Sequence, residues 1–79
     1  MQDHPSGREV FYTLFDTPIG VCGLAWNGRG VVGVQLPEDD ADRTRGRLER
    51  RFSGSSNATP PSHIQAVIDD VVALLKGEA

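Results

Sequence analysis

The spacing of apolar residues changes once along this chain, at Pro37, and the change separates a strand-forming part from a helix-forming part. Before Pro37, apolar residues alternate or form short runs rich in valine. After it, they recur every three or four residues, which is the period of an amphipathic helix. Strands followed by helices predict an α+β fold with a small three-stranded antiparallel sheet and two helices.

Two turn signals divide the first part into strands. Pro18 presets φ at the first central position of a β-turn and Gly20 suits its last position, so the chain should reverse there as a hairpin. Asparagine and glycine tolerate positive φ, so the Asn27–Gly30 segment predicts a second reversal. The resulting strands are predicted at residues 10–16, 21–27 and 30–36.

The second part predicts helices at 40–52 and 62–76. Negative charge at Glu38-Asp39-Asp40 supplies a cap and complements the dipole of the first helix. Its apolar stripe consists of Ala41, Thr44, Leu48 and Phe52. We expect both helices to pack on one sheet face, and that face is the one bearing Leu14, Leu24 and Val34.

The boundaries of the second helix carry their own signals. Ser62 and Gln65 have the spacing of a capping box. Lys76 and Gly77 place a cation and a residue suited to left-handed φ at its end. Between the helices, residues 53–61 have the composition of a flexible linker.

Length and composition limit the domain organisation and the location of the protein. With 79 residues, the chain holds one domain at most, which we place at 9–79 after a disordered N-terminus at 1–8. A net charge of -3 excludes a strongly basic, polyanion-coating protein. No signal-peptide layout or bilayer-length apolar run is visible, and the single cysteine excludes an intrachain disulfide. We therefore expect a cytoplasmic protein with no membrane partner.

Cys22 is the single cysteine, so it is the only thiol that could act as a nucleophile. It lies mid-strand between Val21 and Gly23, and no neighbouring histidine or basic residue is present to lower its pKa. A buried, inert thiol is the favoured interpretation.

The first helix carries five arginines, which form a candidate phosphate-binding face. These are Arg43, Arg45, Arg47, Arg50 and Arg51. Asp39 can pair with Arg43 and Arg45 with Glu49 at i,i+4 spacing, and no aromatic residue is interleaved for base stacking. A solvated helix face is favoured over a nucleic-acid interface.

Neither a metal site nor a cofactor site is expected. The acidic residues that suggest a two-metal centre are Asp16, Asp39, Asp40, Asp69 and Asp70. Asp39 and Asp40 are explained as helix caps, and Asp69 and Asp70 fall on the polar side of the second helix. His4 and His63 are too far apart in sequence for zinc-type spacing, and His63 is expected to be an ordinary surface histidine.

Four segments, in order and spacing, resemble the N-terminal domain of the methylated-DNA-protein-cysteine methyltransferases, the alkylguanine-DNA alkyltransferases of direct repair. The resemblance covers residues 10–78 and is carried by Tyr12–Gly20, Leu24-Ala25-Trp26, Gly30–Pro37 and Ile68–Glu78. It implies a ribonuclease-H-like fold, a small antiparallel sheet with helices, and a DNA-repair context.

The resemblance also implies that this chain is non-catalytic. The family's methyl acceptor is a cysteine in a Pro-Cys-His-Arg motif on a separate C-terminal domain, and that motif does not occur in this sequence. No catalytic, cofactor or metal residue is therefore carried over, and Cys22 is not assigned as the acceptor. The expected partner is the catalytic domain, in cis or in trans, with DNA contacted only through it.

Two other functions stay open. The chain could be a stand-alone protein-interaction module, or a weak nucleic-acid-binding domain acting through the arginine-rich helix. If a catalytic domain normally covers part of the surface, we expect the isolated chain to self-associate weakly through its sheet edges. The other expected contact is an outer face carrying Phe11, Phe15 and Val21.

Overall fold

A computed structural model describes residues 9–77, and within them the chain is α+β, with a four-stranded mixed sheet and two helices. The elements are β1 (Phe11–Thr17), β2 (Gly20–Asn27), β3 (Gly30–Gln35), α1 (Ala41–Arg51), β4 (Ser56–Asn57) and α2 (Ser62–Leu75). The predicted disordered N-terminus at 1–8 lies outside the described residues. Within 9–77, neither helix has the length and apolar content needed to cross a bilayer.

The β1–β2 hairpin forms as the turn residues predict. The strands pair antiparallel from Phe11 opposite Trp26 to Thr17 opposite Gly20. Gly20 has φ +124°, a conformation that disfavours any residue with a β-carbon. The Thr17 hydroxyl accepts from the Ile19 N–H at 3.2 Å and donates to the Gly20 carbonyl at 2.7 Å, which holds the two-residue loop closed.

β3 pairs antiparallel with β2 and forms one outer edge of the sheet, whose strand order is β3-β2-β1-β4. The register shifts between Ala25 and Trp26, so Val32 is an extra residue between the partners of these two positions. This bulge twists the start of β3 relative to the rest of the strand.

The prediction of three strands with a flexible linker at 53–61 is wrong over Ser56–Asn57, which form β4 parallel to β1. The Ser56 N–H donates to the Val10 carbonyl at 3.1 Å, and the Ala58 N–H donates to the Tyr12 carbonyl at 3.0 Å. The reason is that β1 has an otherwise free edge whose backbone groups need partners. The short polar segment supplies them, and its composition carries no strand signal.

The prediction that both helices share one sheet face is also wrong, because each face carries one helix. α1 packs Leu48 against the face of Tyr12 and Ala25. α2 packs against the face of Leu24 and Trp26 through Ile64 and Ile68. Opposite residues in an antiparallel pair share a face and consecutive residues do not.

The register explains where the other expected contacts went. Leu14 lies opposite Gly23 and Thr13 opposite Leu24, so Leu14 and Leu24 point to different faces. Phe11 and Phe15 are half-buried under α2 rather than forming an open outer face. Both alternating sets of β1 side chains include apolar residues, and each set packs on the face covered by one of the two helices. Val34, expected in the core, is 40% exposed.

Helix ends follow the sequence signals only in part. The Asp40 carboxylate caps α1 by accepting from the Arg43 N–H at 2.9 Å, as predicted. The capping box at Ser62 is wrong: Pro61 is the N-cap of α2, and no side chain caps that end. Gly77 adopts φ +84° after the last turn, as expected of a helix-terminating glycine.

Two glycines let α1 lie close to the sheet. A β-carbon at Gly23 would lie 2.2 Å from Leu48 Cδ1, and one at Gly33 would lie 2.6 Å from the Phe52 ring. Leu48 is fully buried, so it has little room to move away. Gly23 is therefore required by the approach of the helix rather than by a turn, whereas a β-carbon at Gly33 would need the half-buried Phe52 ring to shift.

We expect Gly23→Ala to destabilise the fold by about 1–3 kcal/mol, because the added methyl overpacks the seat of Leu48. Gly46→Ala is the matched control: it lies inside α1, and its new β-carbon would only make ordinary contact with Arg50 Nη1 at 3.6 Å. It should stabilise the chain by about 0.5–1 kcal/mol. Urea unfolding of both variants measures the difference, and a neutral Gly23→Ala would contradict the close packing of α1.

Candidate functional site

Cys22 lies in the middle of β2 and is 1% exposed. Its Sγ is 3.7 Å from the Thr17 hydroxyl, and that hydroxyl is the only side-chain hydrogen-bonding group within reach of it among residues 9–77. A hydroxyl is not the kind of general base that activates a cysteine nucleophile. The prediction of a buried thiol is confirmed.

The five arginines do not form one face, because α1 presents two different flanks to the sheet. Arg51 Nη1 donates to the Val34 carbonyl at 2.9 Å and to Gln35 Oε1 at 3.0 Å, which places its flank beside β3. Helical spacing puts Arg43 and Arg47 in the same row at i−8 and i−4. We call Arg43, Arg47 and Arg51 the arginine row.

The other flank of α1 faces β1 and β4. There Glu49 accepts a hydrogen bond from the Tyr12 hydroxyl. Arg45 bonds Asp42 across an exposed 2.9 Å pair. The structure therefore separates Arg45 from the arginine row, although the sequence places them only two residues apart.

The ion pairs differ from those that the spacing predicts. Among the described residues, Arg45 pairs with Asp42 instead of Glu49, and Arg47 pairs with Glu38 at 3.4 Å. The predicted Asp39–Arg43 pair is not formed there either. Glu49 bonds Tyr12 instead, because Tyr12 lies on the sheet face covered by α1 and its hydroxyl reaches that helix. Spacing along the helix cannot reveal this contact, since the two residues are 37 positions apart.

Tyr12 and Glu49 form a long-range polar contact that no local sequence pattern predicts. The ring is buried while the hydroxyl reaches the helix flank. The hydrogen bond to Glu49 and the burial of the ring raise the pKa of Tyr12, and the Glu49 charge adds to the rise, against smaller opposing effects of Arg45 and Asn57. The available sequence signal was a single tyrosine in the predicted first strand, on the same side as Leu14 and Asp16.

The acidic residues do not converge. Within residues 9–77, no group of three histidine, cysteine, aspartate or glutamate side chains is placed to hold a metal ion. Asp40 is used as a helix cap, and Asp69 accepts from the Gln65 side chain at 3.0 Å. Asp39, Asp42 and Asp70 are exposed.

His63 is exposed and lines an open cleft of about 180 Å³ at the start of α2. The other lining residues are Phe11, Trp26, Asn27, Gly28 and Pro61. Phe11 and Trp26 pack with ring centroids 6.0 Å apart at one wall. The volume resembles that of a cavity that admits one benzene ring, but it holds no buried polar group to orient a ligand.

Among residues 9–77, the clearest unpartnered surface is the outer edge of the sheet at β3. Val31, Val32 and Val34 are each 40% exposed, and Leu36, which follows β3, is 62% exposed. We call these four residues the β3 edge. The arginine row lies on the α1 face of this edge and Val34 on the opposite face, so basic and apolar side chains flank β3 from the two faces of the sheet.

The Tyr12–Glu49 contact makes stability depend on pH in the alkaline range. Because the pKa of Tyr12 is raised on folding, its contribution is complete below the ordinary value of 10.0 and is lost as pH rises through the folded-state value. This is the only tyrosine, so tyrosinate absorbance reports it directly. We expect the pKa of Tyr12 in the folded chain, followed by tyrosinate absorbance, to lie above that in the urea-unfolded chain. In Glu49→Gln this difference between the folded and unfolded pKa should be smaller.

Tyr12→Phe should remove this alkaline dependence and cost about 1 kcal/mol at neutral pH, since one hydrogen bond is lost. Urea unfolding across the alkaline range measures both effects. Equal tyrosine titration in the folded and unfolded chain would contradict the contact.

In comparisons with protein-family models, with curated proteins and with solved structures, the chain gives no match. Its function therefore has to be inferred from its residues and their placement.

Proposed function

We propose that this chain is the N-terminal, non-catalytic domain of a DNA-repair methyltransferase of the methylated-DNA-protein-cysteine methyltransferase family. Its role is structural: it packs on and supports a catalytic domain that carries the alkyl-accepting cysteine. DNA is contacted through that catalytic domain, and the pair acts in the cytoplasm.

The observation that carries the proposal is where the four resembling segments lie in the fold. The first spans β1 and its turn to β2, and the next two fall on β2 and β3. The last covers the C-terminal half of α2. A likeness that falls on three consecutive strands and the last helix supports a shared fold more strongly than one confined to loops. A small sheet with flanking helices is also what the resemblance implies.

The state of the single thiol supports the non-catalytic part of the proposal. Family chemistry needs a thiolate activated by a histidine and an alkylated base flipped out of the duplex to meet it. Cys22 is 1% exposed, with Thr17 as its hydrogen-bonding neighbour. His63 lies at the other end of the sheet, beside Trp26.

The arginine contacts support placing DNA binding elsewhere. Arg45 and Arg47 are each paired with a carboxylate, and Arg51 is held by the β3 backbone. Because the arginines lie on two flanks of α1, they do not form one continuous phosphate-binding face. The interaction-module alternative keeps a separate supporting observation, the exposed β3 edge.

The purified chain should take up no alkyl group when incubated with a duplex containing an alkylated guanine. The reason is that Cys22 lacks both access and an activating base. Intact-mass spectrometry reads the result, with a Pro-Cys-His-Arg catalytic domain as the positive control. A stoichiometric mass gain that disappears in Cys22→Ser would contradict the non-catalytic assignment.

The support role is tested with the catalytic domain itself. The sequence downstream in the gene should encode a Pro-Cys-His-Arg motif, and adding the 79-residue chain should raise the melting temperature of that domain without changing which cysteine is alkylated. Arg43→Glu should leave DNA affinity of the pair unchanged. DNA binding by the chain alone that this variant abolishes would favour the nucleic-acid alternative instead.

A further inference from the structure

We infer that the β3 edge is a docking site for an extended segment of a partner protein, one whose residues alternate between apolar and acidic. The segment adds a fifth strand beside β3, with its apolar side chains next to Val34 and its carboxylates next to the arginine row. This inference goes beyond the proposed function and holds whether or not the alkyltransferase assignment does.

β3 lacks the residues that usually keep an edge strand from pairing with another strand. It ends the sheet within the described residues, yet Gly30–Gln35 contains no charged residue and no proline, the usual devices that keep an edge from pairing. The bulge at Val32 disturbs only its first half. The regular part, from Gly33 to Gln35, is therefore the part available for pairing.

The backbone carbonyl and N–H of Val34 both point away from β2. Its carbonyl accepts from Arg51, so it points away from β2. In an antiparallel pair, the N–H and carbonyl of one residue point the same way, and opposite residues alternate between bonded and unbonded pairs. The Val34 N–H therefore also points outward, where a partner strand would accept from it.

In the free chain, Arg51 bonds the one outward-pointing carbonyl of the regular part of β3. Its guanidinium holds the carbonyl that an incoming strand's N–H would use, and the side chain is exposed. A carboxylate on the incoming strand gives that guanidinium a charged acceptor in place of a carbonyl, which is the stronger hydrogen bond. Arg51 thus covers the edge in the free chain and releases it to an acidic partner.

The two faces of β3 determine which residues of the partner segment are acidic and which are apolar. Gly33 and Gln35 lie on the α1 face of β3, because a β-carbon at Gly33 would touch Phe52 and the Gln35 side chain contacts Arg51. Partner residues opposite these two positions face the arginine row. The partner residue opposite Val34 faces the other side, where Val34 is exposed and apolar.

A second copy of this chain fits the edge poorly. Symmetric antiparallel pairing of two β3 strands keeps α1 of both copies on the same side of the joined sheet. Arg47 and Arg51 of one copy would then approach those of the other, and like charges at such an interface are unfavourable. The basic strip therefore selects an acidic partner over self-pairing.

The test is an NMR titration of the full 79-residue chain with a blocked octapeptide that alternates valine and glutamate. We expect amide shifts concentrated at residues 31–36 and at Arg51, weakened by added salt because the charges are exposed. A valine–lysine peptide of the same length should bind about tenfold or more weakly.

Two arginines of α1 provide a matched pair of variants, since each is exposed or half-exposed and bonded to one carboxylate. Arg47→Glu should weaken peptide binding about tenfold, whereas Arg45→Glu, on the opposite flank, should leave it unchanged. Val34→Pro removes the outward N–H and should abolish binding. If that variant loses its dispersed spectrum, Leu36→Ser replaces it and should weaken binding.

Three results would overturn the inference. One is an absence of shifts at 31–36 up to the solubility limit of the acidic peptide. Another is equal weakening by Arg45→Glu and Arg47→Glu. The third is concentration-dependent shifts at 31–36 without any peptide, which would make a second copy the occupant of the edge.

Discussion

The close approach of α1 to the sheet at Gly23 is the contact on which the other features depend. With no β-carbon there, Leu48 seats directly on β2, and the helix axis is set by that contact. The buried Thr44 hydroxyl then reaches the Val21 carbonyl at 3.1 Å and accepts from the Glu38 N–H at 3.0 Å, tying the start of α1 to both β2 and the preceding loop. Once the helix is held at these points, its two flanks have no freedom: one meets Tyr12 and the other meets β3.

The same placement decides what the surface offers to partners. β1 is paired on both sides, by β2 and by the two residues of β4, whereas β3 keeps its outer side free within the described residues. α2 covers Phe11 and Phe15 but leaves Val34 exposed. The exposed apolar surface therefore lies at the β3 edge rather than on the face carrying Phe11 and Phe15. Within the described residues, the one thiol is buried in the hairpin, and β3 leaves apolar side chains exposed at the sheet edge.

Much of the fold was predictable because its signals are local. The Pro18 and Gly20 turn, the third strand and both helices follow from turn chemistry and apolar period, and the structure confirms them. The errors concern β4, the sharing of the two faces and the cap of α2. Ser56–Asn57 have no strand propensity and pair only because β1 has backbone groups to satisfy. The candidate site was less predictable: five arginines were visible, but not that Arg45 and Arg51 belong to different flanks.

The amino-acid sequence alone determined the order and type of the main elements, the absence of a Pro-Cys-His-Arg motif and the presence of one cysteine. Those properties depend on residues adjacent in the chain or on a simple count. Only the tertiary structure decided that each sheet face carries its own helix, that Glu49 bonds Tyr12 across 37 positions, and that Arg51 covers the Val34 carbonyl. The physical reason is that both alternating phases of β1 and β2 are apolar, so local pattern cannot choose a buried face; packing at Gly23 and pairing register make that choice together.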